Sequence, residues 1–109
     1  AYAVTTMKPL TTPALAKLPT LDGAGLKGFN VSIWHGLYAP KGTPKPIIDR
    51  LNQSLKAALK DANVRQRFAE LGTEPVAEQR ITPEALRAHL KAEIDKWGPI
   101  IKKAGVYAD

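Results

Sequence analysis

The chain has 109 residues, of which 44% are hydrophobic and 24% charged, the balance of a folded domain rather than of a disordered segment. Sixteen lysines and arginines against ten aspartates and glutamates leave a formal net charge of +6, which suits either an anionic partner (nucleic acid, an acidic lipid surface or small carboxylates) or solubility alone. The absence of cysteine excludes disulfides, thiolate catalysis and cysteine-bound zinc, and no apolar run approaches the roughly 18–20 residues that span a bilayer.

In chain order, Ala1-Tyr2-Ala3-Val4 reads as a short buried strand ending at Thr5-Thr6, with no basic and apolar leader of a signal peptide ahead of it. Pro9, Pro13 and Pro19 among threonines mark a loop up to Thr20. Thr20 is placed to cap a short helical turn through Leu21 to Ala24, which Gly25 closes in a left-handed conformation. After Gly28 comes the stretch around which the chain is organised, Phe29 to Pro40. Its side chains alternate, with Phe29, Val31, Ile33, His35 and Leu37 on one face and Asn30, Ser32, Trp34, Gly36 and Tyr38 on the other. The aliphatic face is expected on a core and the mixed polar and aromatic face toward a cleft. A run of this length exceeds a typical strand of about 5–6 residues and is expected to pass from one structural unit into another, with Gly36 marking a bend.

Thr43 as N-cap and Pro44 as first helical residue predict a helix whose apolar stripe is Ile48, Leu51, Leu55, Ala58 and Leu59. Asp61 or Asn63 is placed to cap a second helix with Val64, Phe68 and Leu71 inward and Gly72 at its end. Thr73 to Val76 reads as extended. Thr82-Pro83 opens a last helix with the stripe Leu86, Leu90, Ile94, Trp97, Ile101 and Ala104, bent at Pro99 and ended by Gly105. The order is strand, short helix, long strand, two helices, short strand, long helix: an α/β pattern with too few strands for a complete sheet, as in part of a larger fold.

Several motifs fail on their context. Gly23-Ala24-Gly25-Leu26-Lys27-Gly28 matches the dinucleotide fingerprint, but a strand follows it instead of preceding it. Lys41-Gly42-Thr43 lacks the upstream glycine of a phosphate loop. His89 and Glu93 share a helix face without a third metal ligand near them in sequence. Ser32 and His35, the pair a small hydrolase would need, fall on opposite faces of one strand. The basic side chains are interleaved with Glu70, Glu78, Glu84, Glu93 and Asp95, whereas a nucleic-acid site concentrates one sign of charge. Trp34, His35 and Tyr38 form the one site-like cluster, suited about equally to ligand contact and to buried hydrogen bonds.

Ala3-Val4-Thr5-Thr6, Leu18-Pro19-Thr20, Ser32-Ile33-Trp34-His35-Gly36-Leu37 and Ala39-Pro40-Lys41-Gly42-Thr43-Pro44 stand in the order found in the Bug family, the extracytoplasmic solute receptors of tripartite tricarboxylate transporters. Asp49-Arg50-Leu51-Asn52, Leu71-Gly72-Thr73-Glu74-Pro75 and Trp97-Gly98 extend the resemblance over nearly the whole chain. His35 stands where the family usually carries an aromatic such as tyrosine, and Pro99 interrupts a helix usually free of proline. The resemblance implies an α/β fold, the C-terminal part of a two-domain periplasmic binding protein in which a long crossing strand is followed by helices. Residues 1–33 would belong to the second ligand-binding domain, and residues 34–109 would be the crossing strand and the helices that complete the first. It implies a periplasmic receptor, not an enzyme, that hands a small carboxylate to membrane transporter subunits, with no cofactor or metal and no nucleic acid. Ser32, Trp34 and His35 are the expected ligand contacts. The alternative is a basic module binding nucleic acid or protein and no small molecule. Strands and helix stripes without neighbours predict that these 109 residues alone associate, as an oligomer or by strand exchange.

Overall fold

The last helix begins at its predicted cap, and the second and last helices end at their predicted glycines. The computed structural model describes residues 3–11, 13 and 15–106. Helix α1 runs Lys45–Ala58, α2 Ala62–Glu70 and α3 Pro83–Ala104, with a 3₁₀ turn at Glu78–Arg80 between the last two. Thr82 caps α3 as expected: its extended backbone and its hydroxyl, which accepts from the Ala85 amide at 3.1 Å, relieve one of the unpaired donors of the first turn. The cap predicted at Thr43 moves by one residue. The Thr43 hydroxyl donates backwards to the Pro40 carbonyl at 2.8 Å, and Pro44 takes the cap position, so α1 starts without a side-chain cap.

The glycine stops of α2 and α3 share one geometry. Gly72 follows α2 at φ 69° and Gly105 follows α3 at φ 68°, conformations in which a Cβ would crowd the next carbonyl. After α2 the Gly72 amide donates to Ala69 and the Thr73 amide to Phe68; after α3 the Gly105 amide donates to Lys102 and the Val106 amide to Ile101. These paired bonds are the Schellman closure of a helix end. Between them, α3 runs through Pro99 without interruption.

The chain divides into two compact units. One holds the residues up to Leu37 together with Ala62–Glu74; the other holds Tyr38–Asp61 and the residues from Pro75 onward. Each has one well-buried aliphatic side chain among the described residues, Val4 in the first and Ile81 in the second, both 8% exposed. In the second unit the segment from Glu78 to Glu84 runs antiparallel along α1. Lys60 near the end of α1 pairs with Glu78, the Asn52 amide in its middle donates to the Ile81 carbonyl at 3.1 Å, and Glu84 lies within electrostatic reach of Lys45 at its start. The half-buried stripe of α1 and its cap is therefore Ile48, Asn52, Leu55, Lys56 and Leu59, while Leu51 and Ala58, expected inside, are exposed.

The strands depart most from expectation. Of the first one, Ala1 and Tyr2 lie outside the described residues, and Val4 makes a single parallel bridge to Thr20. The long strand expected over residues 29–38 is not formed among the described residues, nor is the short one over 73–76. A strand exists only as a ladder with a neighbouring backbone, and among the described residues no continuous ladder runs along 29–38, although Val31 bonds to Thr5. Burial along the stretch also differs from the expected pattern. Phe29, Ile33, His35 and Leu37 on the aliphatic face are exposed, Ile33 by 90%, whereas Trp34 on the other face is half-buried.

Candidate functional site

The three segments that carried the strongest sequence pattern in the first half meet at residues 4 and 5. The Val4 amide donates to the Pro19 carbonyl at 2.9 Å and the Val4 carbonyl accepts from the Leu21 amide at 2.9 Å, which seats the start of the chain on the Leu18-Pro19-Thr20 segment. The next residue turns to the other side. The Val31 amide donates to the Thr5 carbonyl at 2.9 Å, and the Thr5 hydroxyl donates to the Val31 carbonyl at 2.7 Å. Thr5 thus grips both polar groups of Val31, the residue directly before Ser32.

The turn that delivers the chain to Phe29 is held by its own side chains. Thr20 Oγ1 accepts from the Gly23 amide at 3.0 Å, and Asp22 Oδ1 accepts from the Gly28 amide at 2.8 Å across six residues. The Leu26 amide closes back on Leu21 at 3.0 Å with Gly25 at positive φ, as the sequence predicted. The glycines of the false dinucleotide fingerprint therefore build a closed turn.

Ser32, Trp34 and His35 follow from that grip. Ser32 and His35 are exposed and Trp34 is half-buried, so the segment presents a hydroxyl and an imidazole to solvent within four positions. Tyr38, the third aromatic of the sequence cluster, is 58% exposed. Thr5 and Asp22 escaped the sequence reading. Their partners lie 26 and six residues away, at separations that no local pattern announces.

The remaining candidates resolve into ordinary surface. A Glu93 carboxylate oxygen accepts from the Trp97 indole at 3.0 Å, and among the described residues no group of three or more possible metal ligands forms. Four basic side chains meet acids closely, at Lys45–Asp49, Lys60–Glu78, Arg67–Glu70 and Lys91–Asp95, each 2.6–2.8 Å. Hydrogen bonding to Asp49 raises the Lys45 pKa above its ordinary value, and hydrogen bonding to Lys60 holds that of Glu78 below. At these four places opposite charges interleave, where a nucleic-acid track concentrates one sign. No helix among the described residues is long and apolar enough to cross a membrane.

The model of the tripartite tricarboxylate transporter family receptor matches residues 1–106. The chain belongs to that family. The receptor family is one of binding proteins and not of enzymes. A protein from the ttuE–ttuC′ intergenic region of Agrobacterium vitis is 50% identical over 105 residues, 96% of this chain and 30% of the relative. Protein BugT of Bordetella pertussis is 34% identical over 88 residues, 81% of this chain and 26% of BugT. Among solved structures, the periplasmic binding protein BugD superposes with a TM-score of 0.82 at 48% identity, over all of this chain and 36% of BugD. A protein of R. palustris solved with adipate superposes with a TM-score of 0.73 at 36% identity, over 94% of this chain and 33% of that one. The chain thus spans about a third of the length of these relatives, at a similarity that reaches past the fold to the family.

Proposed function

We propose that the chain is the C-terminal part of a periplasmic receptor that captures a small carboxylated solute and delivers it to the membrane subunits of a tripartite tricarboxylate-type transporter. The observation that carries this reading is the superposition of nearly the whole chain on a structure holding adipate, a dicarboxylate. BugD, described as a periplasmic binding protein, supports the compartment. In this reading residues 1–33 belong to the second ligand-binding domain, and residues 34–109 cross over and complete the first. Residues 29–38 become the long crossing strand once other strands of the receptor supply a continuous ladder beside them. Ser32, Trp34 and His35 then line the cleft, where a hydroxyl and two ring N–H groups donate to carboxylate oxygens.

The test is calorimetric titration of the receptor, at the length of its relatives, with a panel of mono-, di- and tricarboxylates. Binding of at least one of them, weakened by Ser32→Ala or Trp34→Ala, is expected. Failure of every carboxylate to bind removes the carboxylate reading. Taken alone, the 109 residues expose Ile33, Leu37, Ile94, Ile100 and Ile101. Apolar side chains of this size gain roughly 1.5–3 kcal/mol each on full burial, so the isolated chain self-associates in this reading. Light scattering checks it; a well-folded monomer at micromolar concentration is the contrary result.

A further inference from the structure

We propose that Thr5 is a positioning residue for the ligand segment, holding the root of residues 32–35 through its hydroxyl; this rests on the reading of that segment as the receptor's ligand contact. Ser32 is one peptide unit beyond Val31, about 3.8 Å from Cα to Cα, so the orientation of the Val31 carbonyl sets the direction in which the segment departs. That carbonyl is fixed by the Thr5 hydroxyl at 2.7 Å, while the Thr5 carbonyl fixes the amide of the same residue at 2.9 Å. Two bonds from one residue, to the amide and to the carbonyl of Val31, restrain rotation about the chain axis, which a single bond would leave open.

The grip itself has a firm base. Val4, next to Thr5, is the buried aliphatic side chain of this unit and is bracketed by bonds to Pro19 and Leu21. The 20–28 turn, closed by Asp22 on Gly28, supplies the second route to Phe29 and Val31. Thr5 therefore transmits the placement of a settled segment to an exposed one. Its own side chain is exposed, so it contributes little to burial and acts through direction. An exposed hydroxyl-to-carbonyl bond contributes about 0.5–1.5 kcal/mol net, equivalent to about 2- to 10-fold in an equilibrium constant.

The experiment compares the receptor at the length of its relatives with Thr5→Val, which keeps the branched shape and removes the donor, and with Thr5→Ser, which keeps the donor. Two measurements are made on each: affinity for the best-binding carboxylate of the panel, and amide hydrogen exchange at residues 31–35 without ligand. Thr5→Val is expected to lose about 3-fold in affinity and to exchange about 3-fold faster at those amides, with Thr5→Ser close to wild type in both. The thermal midpoint is expected to move little, because the bond is exposed. Unchanged exchange in Thr5→Val overturns the grip. A loss that Thr5→Ser fails to rescue, or one that scales with a fall in thermal midpoint, overturns a role through the hydroxyl. If no carboxylate binds even the wild type while exchange responds as described, the receptor reading fails and the positioning of residues 32–35 by Thr5 stands.

Discussion

The two halves of α3 share one apolar rhythm and differ in what surrounds it. From Thr82 to Trp97 the face made by Thr82, Pro83, Ala85, Leu86, His89, Leu90, Glu93 and Trp97 is half-buried. Beyond Trp97 every described residue is exposed, including Ile100, Ile101 and Val106, and Ile94, in register with Leu90 and Ile101, is 61% exposed. The first half begins at Ile81, the buried residue of its unit, whose carbonyl is tied to α1 by Asn52. Periodicity of 3.6 states which side of a helix is apolar; it does not state that anything lies against that side. The second half of α3 thus carries the mark of a core surface, and in the proposed receptor the portion that relatives carry beyond this chain would cover it.

The strongest way to break this comparison is to truncate one aliphatic side chain in each setting. Ile81→Ala is expected to destabilise the chain by about 2 kcal/mol, the low end for a buried isoleucine because the site is open enough to relax. Ile101→Ala in the same chain is expected to stay within about 0.5 kcal/mol, as surface substitutions do. Urea unfolding followed by the helical signal measures both. Equal costs for the two would mean that the halves do not differ in packing.

A smaller effect sharpens the account of the buried half. Thr82→Ala removes the hydroxyl that accepts from Ala85 and is expected to cost about 1 kcal/mol. Asn52→Ala leaves the Ile81 carbonyl without its donor at a half-buried site, and a comparable loss of about 1 kcal/mol follows. Because the two bonds bracket Ile81 on adjacent elements, the double variant is expected to fall short of the sum, as coupled sites do. Strict additivity in the same unfolding measurements would show that α1 and the start of α3 are held independently.

What the sequence made legible divides along the same line. Caps and stops are local: Thr82, Gly25, Gly72 and Gly105 each act within a few residues of themselves, and all four stand where their chemistry required. Thr43 failed narrowly, because Pro40 offered its hydroxyl a carbonyl three residues upstream. Residues 29–38 failed more broadly as a strand, since alternation describes the side chains and a ladder needs another backbone. The polar residues that organise the tertiary structure were invisible for a related reason. Asn52 sits in the inward stripe of α1 and finds Ile81 29 residues away, while Thr5 finds Val31 26 residues away. The family, by contrast, was readable, because it resides in the order of short motifs over the whole chain and does not depend on which strands find partners here. Ser32, Trp34 and His35 remain proposals resting on that order.

The smallest expected effect concerns the far end of the α1 seam, where Lys60 pairs with Glu78 at 2.6 Å. Hydrogen bonding to Lys60, and after it the Lys60 charge, holds the Glu78 pKa below its ordinary value. A carboxylate depressed in the folded state binds its proton more weakly there than in the unfolded chain. Its contribution is therefore fully present above the unfolded pKa and disappears as the pH falls through the folded one. Lys45 has the opposite sign: its pKa is raised by Asp49, so its contribution is present below the unfolded pKa and is lost as the pH rises through the folded one. Both pairs are largely exposed and screened by salt, so the shifts in thermal midpoint are small and shrink further as ionic strength increases. Lys60→Met is expected to flatten the acid limb of the midpoint-against-pH curve; Asp49→Asn is expected to flatten the alkaline limb. Differential scanning calorimetry at low salt across both limbs measures this. An acid limb that Lys60→Met leaves unaltered would show that Glu78 gains nothing from its partner, and that Asn52 and Ile81 hold the seam without it.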